Sequence, residues 1–435
     1  MKKYKIIILV CIFTLLGIFI GRVTNKNNVY KENENNQMKK QVNTISMMLE
    51  TEAGSGKYEM TTRDSWPTEG YVFNSTLSKC ENGGELSWDD TNKKVLMSGN
   101  ISDKCYVYFD IETKVFLADY VKSLYTGTQG DNNIYYHDSS LENGAGDNSY
   151  RYAGSSETTN NYVCFGSDAD TCPEDNLYRI IGVFDGKVKL IKSTGTTNTL
   201  LGTDGTYTSN SRSYTWTDLD SCPSTTAYKF DNNVVVLSNK NILGAVPDGG
   251  KSGGCNMWKY SNLNSVNLNT NFITNLGIKW AALVDNATWK VSGYSTANVT
   301  AKTMYTAEIT NATKTYGPSD GTSKIGLMYA SDYGFAASPS AWTTLLSSYN
   351  DSSIKSTNWI YNAGMEWTMT PYSSDSYSVF ILSYVSTVSN TGNLGTWSSL
   401  GAAAGFGTRP AMYLNASVVY TRGSGTASDP IRIEI

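Results

Sequence analysis

This chain of 435 residues is poor in histidine, proline and charge. Its single histidine, His137, leaves almost no basis for histidine-based catalysis or for a zinc site. That residue lies in a polar loop without a nucleophile at a meaningful spacing, so we predict a surface histidine. Charged residues make up 17% of the chain, the formal net charge is −4 and no basic stripe is present. Nucleic acid is therefore not expected as a partner.

The polar residues that are abundant are serine, threonine, asparagine, glycine and tyrosine. Thirty tyrosines stand against twelve phenylalanines, and tyrosine suits exposed or interface positions because its ring has a polar end. The length allows two or three domains with a sizeable core. We predict an α+β, β-rich fold with extensive loops.

The N-terminus carries a targeting signal over residues 1–24. A basic start, Met1–Lys5, precedes an apolar run, Ile6–Ile20, which would reach roughly 23–25 Å as a helix. No small-x-small cleavage site follows, which favours an uncleaved signal anchor in the membrane. We therefore predict a single-pass bacterial membrane protein with an extracellular C-terminal part. The alternative is a cleaved signal peptide and a secreted protein.

Six cysteines follow Cys11 and fall into three close pairs. These pairs are Cys80/Cys105, Cys164/Cys172 and Cys222/Cys255. Six cysteines allow fifteen pairings, of which sequential pairing within local segments is the simplest. The absence of a CxxC motif argues against a metal site, and disulfides suit an exported chain.

Five segments follow from the composition along the chain. They are the anchor at 1–24, a stalk at 25–56, a small disulfide-stapled β module at 57–112, a helical connector at 113–131 and one large domain at 132–435. Val42, Ile45 and Leu49 recur at helical spacing in the stalk. In the large domain, Asp185-Gly186 between two β-branched runs predicts a tight hairpin. Further helices are expected at 263–276, 304–309 and 341–348, and an edge strand at 430–435.

The large domain resembles a known family in five segments and in the order in which they follow one another along the chain. These read LYRIIGVFDGKVKLI from Leu177, KIGLMYASDYGFA from Lys324, EWTMTP from Glu366, GTRPAMYLNASV from Gly407 and GTASDPIRI from Gly425. They are similar to exported bacterial surface proteins that end in a C-type-lectin-like domain, the fold shared with formylglycine-generating-type domains. The resemblance covers 132–435, and the small β module looks like one that the same proteins carry.

The resemblance implies that the first and last strands of the domain pair, while a long insertion presents a binding face. Gly407, Arg409 and Pro410 match the near-terminal segment of that group and are expected to be structural, with Arg409 paired to an acid such as Glu366.

Members of this fold that bind sugars through calcium carry a triplet similar to Glu-Pro-Asn or Gln-Pro-Asp. Neither triplet occurs in this sequence. No cofactor is therefore predicted. A weak calcium site remains an alternative, with candidate acids at Asp332, Asp351, Glu366 and Asp375. The oxidase chemistry of the fold needs a cysteine pair in the C-terminal part, and no cysteine follows Cys255.

An aromatic set is the candidate ligand-binding surface. Its members are Trp359, Tyr361, Trp367, Tyr372, Tyr377, Tyr384 and Trp397. The tyrosines lie among serines and asparagines, a composition typical of adaptable binding loops. Residues 372–399 also resemble the products of diversifying asparagine codons, so a varied binding loop is a further hypothesis.

These observations predict a cell-surface recognition or adhesion protein rather than an enzyme. Its partner would be a glycan or a protein on another cell surface. Two alternatives remain. One is an envelope enzyme that acts on a surface polymer, with Glu366 and Asp375 as its best acids. The other is a structural appendage subunit, although the N-terminus lacks a prepilin cleavage motif.

Overall fold

This computed structural model describes the chain in segments. They are residues 44–99, 103–205, 207–208, 213–215, 226–230, 233–237, 258–312, 315–320, 324–362, 364–372, 379–382, 385–386, 389–390, 394–396 and 405–434. The predicted anchor at 1–24 lies outside them. Within the described segments no helix has the length and apolar character needed to cross a bilayer. The chain divides into two compact units, Met1–Thr113 and Lys114–Ile435.

Unit 1 is built from short strands. Their bounds are β1 Thr44–Glu50, β2 Tyr58–Met60, β3 Tyr71–Phe73, β4 Lys79–Cys80, β5 Glu85–Asp89, β6 Lys94–Ser98 and β7 Lys104–Ile111. One sheet has the order β2-β1-β7-β3, with β4 also pairing β7, and β5 and β6 form a separate hairpin. Strands β1 and β7 run parallel. A small core of Met47, Leu49, Val107 and Phe109 packs beneath the sheet.

The stalk prediction is wrong for residues 44–50, because they form β1 rather than a helix. Ile45 and Leu49 are four positions apart, and such positions share a face in a strand as well as in a helix. The spacing of these apolar residues is therefore compatible with a helix or a strand, and pairing with β7 makes the segment a strand. Val42 lies outside the described residues.

The Cys80–Cys105 disulfide links β4 to β7 across a sequence separation of 25. Since unit 1 has a small core, the crosslink should contribute much of its stability. Replacing both cysteines with alanine is expected to lower its free energy of unfolding by about 3 kcal/mol in the loop-entropy model. Protease cleavage of unit 1 across a urea series of the full chain measures this. A loss below about 1 kcal/mol would contradict it.

Unit 2 contains the remaining strands. Their bounds are β8 Val115–Phe116, β9 Ile134–His137, β10 Ser149–Tyr152, β11 Tyr162–Cys164, β12 Leu177–Phe184, β13 Lys187–Lys192, β14 Tyr207–Thr208, β15 Ser213–Thr215, β16 Thr226–Phe230, β17 Asn233–Leu237, β18 Trp289–Lys290, β19 Thr315–Tyr316, β20 Ile325–Gly326, β21 Glu366–Pro371, β22 Val379–Leu382, β23 Val385–Ser386, β24 Ser389–Asn390, β25 Leu394–Thr396, β26 Gly405–Phe406, β27 Ala411–Tyr413, β28 Val419–Arg422 and β29 Arg432–Glu434. The helices are short. The α-helices are α1 Leu117–Ser123, α2 Asn198–Leu201, α3 Ile273–Leu276, α4 Ile278–Leu283, α5 Ala301–Tyr305, α6 Ala330–Ala336 and α7 Ser352–Ser356. Two π-helices, π1 Leu263–Phe272 and π2 Thr306–Thr310, continue into α3 and follow α5. Single 3-10 turns lie at Asp131–Asn133, Glu174–Asn176, Trp258–Tyr260, Pro318–Asp320, Pro339–Ala341 and Leu346–Ser348.

The main sheet of unit 2 is antiparallel, with the order β20-β27-β13-β12-β10-β9 and with β11 also pairing β12. The predicted hairpin is confirmed, since Asp185 and Gly186 join β12 to β13 with positive φ angles of 47° and 76°. A separate small sheet joins β8, β28 and β29. The first strand of the unit therefore pairs with β28, and the last strand β29 pairs with the other edge of β28.

The protein is mixed α+β and β-rich, as predicted. The connector helix is confirmed as α1, with Leu117 and Val121 buried one turn apart. The helix predicted at 341–348 is instead two separate 3-10 turns at its two ends. Threonine and serine fill half of this stretch, and both are weak helix formers.

Two of the three expected disulfides, Cys80–Cys105 and Cys164–Cys172, are formed. Cys222 and Cys255 lie outside the described residues.

Candidate functional site

The two tryptophans of the predicted aromatic surface lie in the core. Trp359 is 3% exposed and Trp367 is 1% exposed. The indole of Trp359 donates a hydrogen bond to the carbonyl of Tyr152 at 2.8 Å, and the ring of Trp367 packs against Phe406. Their rings are therefore not available to a ligand at the surface. Tyr361 and Tyr372 are half-buried. Tyr377, Tyr384 and Trp397 lie outside the described residues.

Arg409 forms a buried ion pair with Glu366. Its Nε and Nη2 atoms both lie 2.7 Å from Oε2 of Glu366, and Nη2 also donates to the carbonyl of Ile360. Gly407 is required beside this pair, because an added Cβ would lie only 2.8 Å from the carbonyl oxygen of Met365. Pro410 is buried and its carbonyl accepts a hydrogen bond from the backbone of Lys192. These residues hold the strand ends together.

A second buried guanidinium, that of Arg179, lies near this pair and packs against the ring of Trp359. Arg179 is 3% exposed and makes no ion pair with a described acid. It donates to Asn161 Oδ1 at 2.6 Å and to the carbonyl of Trp359 at 3.1 Å. The rings of Tyr162 and Trp359 cover the guanidinium. Burial, with a smaller contribution from the nearby Arg409 charge, lowers the pKa of Arg179 to about 10.

The candidate calcium acids each have a different partner. Asp332 pairs with Lys189, Glu366 with Arg409, and Asp351 accepts from the backbone of Ser353 at the start of α7. Asp375 lies outside the described residues. Within the described part of the chain, the one group of three potential metal ligands is Cys80, Asp103 and Cys105. Its two sulfur atoms are bonded to each other.

A cavity of about 450 Å³ opens on one face of the main sheet. Its size falls within the range of roughly 300–1,000 Å³ that is typical of small-molecule sites. The lining combines four acids and four cations with four aromatic side chains, and it is completed by four small polar and two aliphatic side chains. These residues are Asp147, Asp185, Asp285 and Asp332; Arg151, Lys187, Lys189 and Lys290; Phe184, Tyr305, Tyr329 and Tyr413; and Ser149, Asn286, Ala287, Thr288, Ile309 and Ser331.

The register of the sheet explains how two cations reach the floor of this cavity. Arg151 on β10 is paired with Gly182 on β12, which is paired with Lys189 on β13, which is paired with Tyr413 on β27. Residues paired across strands share a face of the sheet. Gly182 is needed because a Cβ there would lie 2.2 Å from the carbonyl oxygen of Tyr150.

Asp332 neutralises both cations. Its Oδ2 lies 2.6 Å from the ammonium of Lys189 and accepts from the backbone of Tyr329, where α6 begins. Its Oδ1 faces Nη1 of Arg151 at 3.7 Å. Burial lowers the pKa of Lys189, although Asp332 partly offsets this effect. The ion pairs join the sheet to α6.

Asp147 extends this network of ion pairs toward solvent. It accepts from Nη2 of Arg151 at 2.6 Å and from the hydroxyl of Tyr305 at 2.7 Å. Burial opposes its ionisation, but Arg151 and the hydroxyls of Ser149 and Tyr305 outweigh that effect and hold its pKa well below the usual range. Asp147 is therefore a carboxylate at every physiological pH.

Aromatic rings cover the faces of the buried cations. The guanidinium of Arg151 lies 4.6 Å from the ring centre of Phe184 and 5.0 Å from that of Tyr305. The ammonium of Lys189 lies 4.3 Å from the ring centre of Tyr329. Such contacts stabilise desolvated cations. They also fix the edges of the guanidinium in one orientation.

The rim of the cavity is exposed and polar. Lys187 and Asp285 form an ion pair of 2.6 Å there, and Asp185, Asn286 and Thr288 face solvent. Four acids and four cations line the cavity, so their formal charges cancel.

Glu308 lies buried on π2, behind the cavity lining. Its carboxylate accepts from the backbone of Ser331 and from the hydroxyl of Thr370. Burial, with a smaller contribution from the charge of Asp332, raises its pKa to about 7. The folded state therefore holds this proton more tightly than the unfolded chain does.

The stability that neutral Glu308 contributes is present below about pH 4.5 and is lost as the pH rises through about 7. Relative to the wild type, the Glu308→Gln variant should gain about 2 kcal/mol of unfolding free energy between pH 5 and pH 8. The difference between the two proteins is the quantity to measure, because His137 titrates in the opposite direction. The exposed Glu142→Gln variant is the control, and a flat difference would contradict the prediction.

The prediction of a surface histidine is wrong. His137 is fully buried between Phe335 and Trp342, and its Nδ1 accepts a hydrogen bond from the backbone of Ala145 at 3.0 Å. Burial holds its pKa well below the usual value, and the charge of Arg151 contributes. The polar residues after His137 face solvent while the ring faces the core.

The sequence reasoning did not identify the cavity. A signal was present, since Ser149 and Arg151 alternate with aromatic residues on β10, and Lys187 and Lys189 alternate with valine and leucine on β13. Alternation of this kind normally indicates a solvent-facing side. Here α6 covers that side, which only the tertiary structure reveals.

No protein-family model, curated protein or solved structure matches this chain. No family is therefore assigned, and the resemblance to exported lectin-like surface proteins stays a prediction.

Proposed function

We propose that this chain is an exported cell-surface recognition protein that binds a glycan ligand in the cavity of unit 2. Unit 2 would be a C-type-lectin-like domain, and the segment at 1–24 would tether it to the bacterial membrane. The cavity carries this proposal. Its rim is open to solvent, and its floor of paired charges is held rigid by aromatic rings. Small-molecule sites are concave and largely pre-formed, and their fixed polar groups orient the ligand.

The small sheet of β8, β28 and β29 supports the proposed fold. Val419 pairs with both Phe116 and Glu434, so the start of the unit lies beside its end. The resemblance implies direct pairing of the first and last strands, whereas here β28 lies between β8 and β29.

A glycan and mucin array tests the function. The full chain, purified in mild detergent on account of the apolar segment at its N-terminus, should bind at least one immobilised glycan saturably. Parallel arrays with calcium and with a chelator decide whether calcium takes part. A variant with alanine at Tyr377, Tyr384 and Trp397 tests the loop. Absence of binding on every array would overturn the glycan proposal. Binding that the wild type shows and the triple variant loses would place the site in the loop rather than in the cavity.

A further inference from the structure

The floor of the cavity contains one donor and one acceptor that face each other without a hydrogen bond. Nη1 of Arg151 and Oδ1 of Asp332 lie 3.7 Å apart, which is too long for a hydrogen bond. Both side chains are about 2% exposed. A contact of this length leaves both atoms open to a bridging water or to a polar group of a ligand in the cavity.

The other polar atoms of these two side chains are already engaged. Nε of Arg151 donates to Ser149 Oγ at 2.8 Å, and Nη2 donates to Asp147. Oδ2 of Asp332 accepts from Lys189 and from the backbone of Tyr329. Within the described part of the chain, Nη1 donates to no group and Oδ1 accepts from none. The rings of Phe184, Tyr305 and Phe335 surround the guanidinium, so Nη1 cannot turn away.

We infer that this pair is the recognition point for a neutral sugar, which offers two adjacent hydroxyl groups to the cavity floor. One hydroxyl would accept from Nη1 of Arg151, while its neighbour donates to Oδ1 of Asp332. This inference rests on the proposed function and names the ligand class of the same site. A hydroxyl is both a donor and an acceptor, so a vicinal pair satisfies both protein atoms at once.

The charges around this pair disfavour both anionic and cationic ligands. A carboxylate or phosphate would approach Arg151 only by also approaching Asp332 and Asp147, while an ammonium would meet Arg151 and Lys189. The lining charges cancel, so an ionic ligand gains no net attraction. Binding should therefore depend little on salt concentration.

The probes are methyl glycosides of mannose, galactose and glucose, titrated calorimetrically into the full chain in mild detergent. Each has matched deoxy analogues that lack one hydroxyl of a vicinal pair. Loss of the engaged hydroxyl leaves a buried charged group unpaired and should weaken binding roughly 10- to 100-fold. Raising the salt from about 50 to 500 mM should change the affinity by less than about twofold.

A blocking variant places the binding in the cavity without disturbing its floor. Thr288 is exposed at the rim, and Thr288→Trp should abolish binding while the chain remains folded. Thr343→Trp, at an exposed position away from the lining, is the matched control and should bind as the wild type does.

Two outcomes would overturn the inference while the proposed function survives. These are array binding limited to charged glycans and deoxy analogues that all bind equally well. Neutral-glycoside binding that Thr288→Trp leaves intact would place the site outside the cavity, and it would overturn both the inference and the cavity site of the proposed function. If the chain bound nothing on the arrays and no glycoside in solution, both the inference and the proposed function would fall.

Discussion

Replacing Glu366 with glutamine should lower the free energy of unfolding of unit 2 by about 3–5 kcal/mol, because it removes one partner of a buried ion pair. Glu366 is the described acid that pairs with Arg409, and both side chains are 3% exposed. Arg179 lies close enough for the two guanidinium charges to interact. The variant would leave two buried positive charges without a counter-charge.

Denaturant unfolding of the full chain measures this effect, with Glu142→Gln as the exposed control, for which almost no change is expected. Glutamine keeps the shape of the side chain, so a large loss reports the charge rather than a cavity. A loss of less than about 1 kcal/mol would show that the hydrogen bond from Arg409 to the carbonyl of Ile360 holds the guanidinium instead. The ion pair with Glu366 would then not be a main source of stability.

Replacing Asp332 with asparagine is expected to be similarly severe, with a loss of about 3–5 kcal/mol near neutral pH. Its carboxylate contacts both Lys189 and Arg151 on the cavity floor. Asparagine retains an oxygen for the backbone of Tyr329 but no longer neutralises the two cations. Lys189, already depressed in pKa by burial, would then lose its proton more readily.

The loss in Asp332→Asn should depend on pH with a definite sign. A lysine whose folded pKa falls below its unfolded value destabilises the folded state more as the pH decreases. The deficit relative to the wild type should therefore be larger at about pH 6 than at about pH 9. Unfolding at these two pH values checks the direction, and a deficit that grows toward pH 9 would rule out an uncompensated lysine as its cause.

Local patterns in the sequence predicted two local elements correctly. The Asp185-Gly186 hairpin was identifiable because its turn residues adopt positive φ and β-branched runs flank it. The helix α1 was identifiable because Leu117 and Val121 repeat at helical spacing. Both signals lie within a few neighbouring residues.

Features that depend on distant contacts could not be read in this way. Arg151 and Lys189 are brought to one site by the register of three strands, and Asp332 reaches them from α6. No sequence spacing encodes that meeting. Trp359 and Trp367 were candidates for a binding surface because tryptophan occurs both in cores and at interfaces. Their burial depends on Arg179, Tyr152 and Phe406, which are distant in the chain.

The most direct test of the account is a crystal structure of the full chain with the tightest-binding neutral methyl glycoside. The sugar should lie in the cavity, with adjacent hydroxyls within hydrogen-bond distance of Nη1 of Arg151 and Oδ1 of Asp332. A sugar bound at any other surface, with only water between those two atoms, would contradict it.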